Sequence, residues 1–123
     1  MAKNSGIRKI SSTNIRKLIY SKTFYSNLLD VLEYGREQFG NKVVADFYKD
    51  ILRQTARLPQ MPDRYPICRF MESTQKKTYR NILIRKYYIV YCVKSSEIVV
   101  LDILHQSMSP ENIVKMIRKS EDE

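Results

Sequence analysis

The sequence is poor in the residue types that build metal and thiol sites. Its 123 residues include no tryptophan, one histidine (His105) and two cysteines (Cys68 and Cys92). One histidine and two scattered cysteines without CxxC spacing do not make a zinc site. The polar start lacks the apolar core of a secretion signal, so we expect reduced thiols, a cytoplasmic protein and no cofactor.

Other absences limit the fold class. Three glycines and four prolines exclude a collagen-like or linker-dominated chain. No apolar run approaches the ~18 residues of a membrane-spanning helix, so we expect no membrane partner. The chain is 43% hydrophobic and 28% charged, which is typical of a globular domain, and its length predicts only one.

Acidic residues are also scarce, and their scarcity is uneven. The chain has 22 Lys and Arg against 13 Asp and Glu, a net charge of +9. Residues 1–22 carry no acid, residues 23–58 balance acids and bases, and the last three residues are all acidic. A basic chain is attracted to nucleic acid, ribosomes, anionic membranes or an acidic protein. We divide it into a flexible basic arm (1–14), one domain (15–119) and an acidic tail (120–123).

Apolar periodicity predicts a strand followed by two helices. Residues 17–20 form a short strand, and Ser21 is a plausible helix cap. Apolar residues then recur at three- and four-residue steps up to Phe39, break at Gly40-Asn41, and recur again up to Leu58. A break this short favours an antiparallel helix hairpin, and both apolar stripes are predicted to be core.

The C-terminal half predicts a sheet and a last helix. Prolines end the second helix, and residues 59–77 form a long connection in which 65–70 could add an edge strand. Residues 79–84, 87–93 and 98–104 are β-rich and are separated by tight turns, which predicts an antiparallel meander. Ser109-Pro110 starts a short helix. The predicted class is α+β: an N-terminal strand, an antiparallel helix hairpin, a three-to-four-stranded antiparallel sheet and a short C-terminal helix.

This order resembles the RelE/ParE toxin superfamily of bacterial type II toxin–antitoxin modules, and most closely its ParE, or plasmid-stabilisation, branch. The resemblance covers about residues 15–118. It is carried by Tyr79-Arg80, by the strand at 88–91, and by the apolar strand from Ile98 that runs into His105 and a Pro-containing helix start. It implies a toxin neutralised by a cognate antitoxin, whose segment wraps the toxin and occupies a groove between hairpin and sheet.

The resemblance leaves three functions open. The first is a ParE-like toxin that inhibits growth by binding a macromolecular target such as DNA gyrase. The second is a RelE-like nuclease that cuts mRNA on the ribosome. The third is a degenerate, non-toxic module that only binds an antitoxin. The net charge predicts that the antitoxin segment is acidic as well as hydrophobic, with Tyr25, Tyr34, Tyr48 and Tyr87 as candidate contacts.

Candidate site residues follow from these functions. If the protein is a nuclease, Arg80 would stabilise the phosphate and His105 would act as general acid or base; otherwise they are a surface arginine and a structural histidine. The second arginine and the late tyrosine of RelE-like nucleases are missing, since Gln106-Ser107-Met108 follows the last strand and no tyrosine follows Tyr91. The candidates for contact with the target or with nucleic acid are Lys76, Lys77, Arg80, Arg85 and Lys86.

Overall fold

The fold is a four-stranded sheet with helices on both faces. A computed structural model describes residues 15–123, so the predicted arm 1–14 lies outside the described residues. The elements are β1 (Lys17–Tyr20), α1 (Lys22–Phe39), α2 (Asn41–Ala56), β2 (Thr78–Ile84), β3 (Tyr87–Val93), β4 (Glu97–His105) and α3 (Pro110–Glu121). The predicted α+β class is confirmed. No helix within 15–123 has the length and hydrophobicity needed to cross a membrane.

The strand order is β1-β4-β3-β2, and one pairing differs from the prediction. The β2–β3 and β3–β4 pairs are antiparallel, as expected, but β1 lies parallel to β4, with Leu18 opposite Ile98. β1 and β4 are not joined by a tight turn, since both hairpin helices, β2 and β3 lie between them in sequence. The pair is therefore not restricted to the antiparallel arrangement that a tight turn imposes.

The helix hairpin forms where the sequence places its caps. The Ser21 side chain accepts the Phe24 N–H at the start of α1. Gly40 joins α1 to α2 with φ 91°, a conformation that favours glycine. The two helices approach closely at Gly35, where an added Cβ would lie 3.2 Å from a Val44 methyl carbon. The hairpin therefore depends on these two glycines.

Each face of the sheet has its own apolar cluster. The hairpin covers one face, where Phe24, Leu28, Phe47 and Ile51 pack on buried residues of β2, β3 and β4. On the other face, Ile113 and Ile117 of α3 cover a second cluster. Since β3 and β4 are buried on both faces, their near-continuous apolar sequence is explained.

The connection between α2 and β2 contributes less strand than predicted. Of residues 65–70, only Ile67 makes a β-bridge, opposite Arg80. The backbone bonds from Asn81 N–H to Pro66 O (3.1 Å) and from Cys68 N–H to Tyr79 O (2.7 Å) flank this bridge. Pro66 has no N–H to donate, which limits pairing to this short stretch.

The C-terminal residues are part of the packed domain. α3 continues to Glu121, and the buried Ser120 hydroxyl donates to Leu101 O at 2.5 Å. The Glu123 carboxylate accepts the N–H groups of Lys22 and Thr23, both at 2.7 Å, and the Thr23 hydroxyl. The predicted boundary at residue 119 thus falls inside α3, and Glu123 caps the first turn of α1, which has no acid of its own.

Replacing Glu123 with alanine is expected to lower the free energy of unfolding by about 1 kcal/mol, because two N–H groups of α1 lose their acceptor and a favourable charge. Urea unfolding measures this change. Asp122→Ala is the matched control, since it removes a neighbouring exposed acid for which the structure gives no side-chain hydrogen bond. Equal stability of the two variants would show that Glu123 does not act as a cap.

Candidate functional site

An apolar cleft opens between the hairpin and one end of the sheet. Its volume is about 450 Å³. It lies where α1 ends, α2 begins, β2 turns into β3, and β4 ends. Its lining residues are Val31, Tyr34, Gly35, Phe39, Val43, Val44, Phe47, Arg85, Lys86, Tyr87 and His105. The cleft lies at the position of the groove that was expected between the helix hairpin and the sheet.

The opposite end of the same face is filled by the α2–β2 connection. Tyr65 packs edge-on against Tyr91, with ring centroids 6.5 Å apart, and donates its hydroxyl to Gln54 Oε1 at 3.1 Å. The Tyr91 hydroxyl donates to Pro62 O at 2.9 Å, and Leu58 is buried beside them. Because no described segment fills the other end in the same way, the cleft stays open there.

Exposed apolar side chains concentrate on the hairpin. Among residues 15–123, eleven large hydrophobic side chains are exposed, and seven of them belong to α1 and α2. These seven, called here the hairpin surface, are Tyr25, Leu29, Tyr34, Phe39, Val43, Tyr48 and Leu52. Three of them, Tyr34, Phe39 and Val43, line the cleft together, and exposed apolar area of this kind marks an interaction site. The hairpin surface and the cleft therefore form the best candidate site for a protein partner.

The exposure of the hairpin surface contradicts part of the core predicted from the sequence. The periodicity placed Phe39, Tyr48 and Leu52 on buried stripes, yet Phe39 is 66% exposed, Tyr48 39% and Leu52 38%. The predicted contacts Tyr25, Tyr34 and Tyr48 are exposed, and Tyr87 is half-buried in the cleft wall. The signal for the missed residues was the width of the apolar pattern: Leu29 and Leu52 extend it beyond the single face that a core contact needs.

Two of the predicted cations, Arg85 and Lys86, stand at the rim of the cleft. The Arg85 guanidinium lies 5.2 Å from the centroid of the Phe47 ring. Its Nη1 donates to Val43 O at 3.4 Å, and its Nη2 lies 3.9 Å from Asp50 Oδ2. Lys86 is exposed and has no ion pair with any residue in 15–123. The rim is thus positively charged over an apolar floor.

The other predicted cations lie elsewhere. Lys77 Nζ is 3.7 Å from Glu121 Oε2, near the end of α3, and Lys76 is exposed in the turn before β2. Arg80 is largely covered: its Nη1 donates to Tyr65 O at 2.7 Å, and its Nη2 is 3.6 Å from Asp63 Oδ1. The fold therefore does not gather the five predicted cations into one patch, and Arg80 anchors the α2–β2 connection.

The two candidate catalytic residues are far apart. Arg80 pairs with Tyr91 on β3, while His105 pairs with Tyr87, four residues away along the same strand. This separates them by roughly 13 Å along the strand and two strand spacings, roughly 10 Å, across the sheet. His105 Nδ1 accepts the Ser107 N–H at 3.1 Å and lies 2.7 Å from its hydroxyl oxygen. One phosphate cannot contact both side chains in this arrangement.

Asp102 and the two cysteines are buried and do not offer His105 an accessible acid–base partner. Asp102 is fully buried and receives the Asn27 amide at 2.7 Å. Both cysteines are buried as free thiols, and burial raises the pKa of Cys68. Burial and, secondarily, Glu121 raise the pKa of Cys92 to about 11. Thiols of this kind are poor nucleophiles and metal ligands, and residues 15–123 contain no cluster of His, Cys, Asp and Glu suited to a metal.

A family model matches most of the chain. The family model described as the ParE toxin of type II toxin-antitoxin system, parDE, matches residues 18–110. A solved chain from a chromosomal ParDE TA system from P. aeruginosa has the same fold, with a TM-score of 0.60 and 16% sequence identity. The alignment covers 75% of this chain and 97% of that chain. No curated protein sequence matches this chain significantly.

Proposed function

This chain belongs to the ParE toxin family of type II toxin–antitoxin systems, and we propose that it inhibits growth by binding DNA gyrase and is neutralised by a cognate antitoxin. The resemblance found in the sequence is confirmed at the level of the family. The target, the growth inhibition and the neutralisation are the proposal, as is a cytoplasmic location.

The hairpin surface is the observation that carries the antitoxin part of the proposal. An antitoxin segment laid along the cleft would bury Tyr34, Phe39 and Val43 and insert apolar groups into the cleft. Burial of exposed apolar and aromatic side chains favours association. The cationic rim and the net charge of +9 favour an acidic segment.

Binding, and not catalysis, is the proposed mode of action on the target. The proposal rests on the distance between Arg80 and His105 and on the engagement of Arg80 with Tyr65 and Asp63. RNA cleavage needs a base, an acid and cations around one phosphate. The exposed cations Lys76 and Lys86 remain proposed contacts for the acidic surface of a target.

A supercoiling assay tests the proposal. Addition of the purified chain to gyrase should inhibit DNA supercoiling, and the product of the neighbouring reading frame, added as antitoxin, should restore it. Unaffected supercoiling together with cleavage of translated mRNA would favour the ribosome-dependent nuclease. If both readouts and growth are unaffected while the antitoxin still binds, the chain is the non-toxic module.

A further inference from the structure

Arg85 adopts a backbone conformation that is unfavourable for arginine. It is the first residue of the two-residue turn between β2 and β3, and its φ is 56°. No other non-glycine residue in 15–123 has a positive φ. Two-residue hairpin turns require a positive φ at this position, where glycine, asparagine or aspartate is the usual residue. An arginine here is therefore strained.

The contacts of Arg85 within the chain do not explain this strain. Its hydrogen bond to Val43 O is long, at 3.4 Å, and its ion pair with Asp50 is longer, at 3.9 Å. The side chain is 45% exposed, so solvent screens that pair and it stabilises the fold very little. The hairpin turn requires a positive φ but does not require an arginine, so the presence of arginine at this position is a reason to look for a function.

The position of the guanidinium suggests what this function is. It lies over the Phe47 ring, at the mouth of the cleft, beside the exposed Lys86. The ring limits the movement of the guanidinium, and a partner segment lying on the apolar floor would exclude water from it. Both features strengthen an interaction with an incoming carboxylate.

Asp50 can release Arg85 at little cost. Its Oδ1 already accepts from Arg53 Nη2 at 2.6 Å, a much shorter contact than the one with Arg85. If a carboxylate from a partner replaces Asp50 on Arg85, Asp50 keeps its other cation. The exchange thus leaves no unpaired charge on α2.

We infer that Arg85 is the specificity residue of the cleft and recognises a carboxylate of the antitoxin segment, beside an apolar side chain of that segment that enters the cleft. The inference rests on the proposed function, because it assumes that the antitoxin covers the hairpin. It assigns Arg85 to the antitoxin and not to the target.

Two substitutions separate charge from strain. Arg85→Gln removes the charge and keeps the strained turn, whereas Arg85→Gly removes both. Titration calorimetry with the purified product of the neighbouring reading frame should show an affinity loss of about tenfold for both variants, as is typical of a lost charge-assisted hydrogen bond. The glycine variant alone should gain about 2–5 °C in Tm, because the turn is relaxed.

Lys49→Gln is the matched control for net charge. Lys49 is exposed on α2, does not line the cleft and has no ion pair with a residue in 15–123. We expect its affinity to stay within about twofold of the unmodified chain at moderate salt. An equal loss of antitoxin affinity in Lys49→Gln and Arg85→Gln would mean that the effect comes from overall charge. This result would overturn the inference.

The remaining outcomes distinguish the inference from the proposed function. Tight binding by the unmodified chain and unchanged binding by both Arg85 variants would overturn the inference alone. A lower Tm in Arg85→Gly would mean that the arginine supports the turn, and would also overturn it. If the unmodified chain does not bind the antitoxin at all, the proposed function fails first.

Discussion

Replacing Phe39 with alanine is expected to weaken antitoxin binding by at least about thirtyfold, roughly 2 kcal/mol, while the free energy of unfolding stays nearly unchanged. Phe39 is the last residue of α1 and 66% exposed, so the free chain loses little packing when the ring is removed. In the proposed complex the ring is buried at the mouth of the cleft. The largest losses of affinity in protein interfaces typically come from truncating a central aromatic side chain.

Leu83→Ala provides the matched control for Phe39→Ala. Leu83 is 54% exposed on β2, and it does not line the cleft. Calorimetry or a competition assay should give this variant an affinity within about twofold of the unmodified chain. Equal weakening by the two variants would place the antitoxin elsewhere. A large drop in the unfolding midpoint of Phe39→Ala would show that the ring supports the fold.

The helices and strands were predictable because local sequence determines them. The Ser21 cap, the Gly40 break and the Ser109-Pro110 start each act within a few residues. The apolar runs of β3 and β4 identified central strands for the same reason. The parallel placement of β1 depends instead on a contact with β4 about 80 residues away, and a four-residue strand carries no signal of its direction.

The candidate site was only partly predictable. A groove between hairpin and sheet was expected, but Phe39 and Leu52 were assigned to the core because periodicity cannot distinguish a core contact from a surface reserved for a partner. Arg85 was identified as a cation, although its positive φ is invisible in the sequence. The role of Arg80 depends on the path of residues 59–77, which places the Tyr65 carbonyl beside its guanidinium.

The second large effect concerns Asp102, a fully buried carboxylate with an unsatisfied oxygen. Its Oδ1 accepts the Asn27 amide at 2.7 Å and the Ile103 N–H at 2.8 Å. Its Oδ2 has no partner among residues 15–123. Burial raises the pKa of Asp102 from 3.8 to about 6, although Asn27 and Ile103 act in the opposite direction. The ionised form is therefore unfavourable in the folded state.

The raised pKa makes stability depend on pH. Between about pH 4 and pH 6 the folded state holds a proton that the unfolded state has released, so the free energy of unfolding falls as the pH rises through this range. The stability that protonated Asp102 contributes to the folded state is fully present below about pH 4. By about pH 7 roughly 3 kcal/mol of it is lost, since each unit of pKa shift corresponds to about 1.4 kcal/mol.

Asp102→Asn is expected to raise the free energy of unfolding by roughly 2 kcal/mol at pH 8 and to lower it by roughly 1 kcal/mol at pH 4. The amide keeps an oxygen that accepts from Asn27 and Ile103, and it removes the buried charge. Its N–H groups have no partner, and their cost makes the gain at pH 8 smaller than the roughly 3 kcal/mol that ionised Asp102 loses. Urea unfolding across this pH range measures the difference. Asp30→Asn, an exposed acid on α1, should show no such dependence. A variant less stable than the unmodified chain at pH 8 would mean that attraction to the nearby Lys119 exceeds the cost of burial.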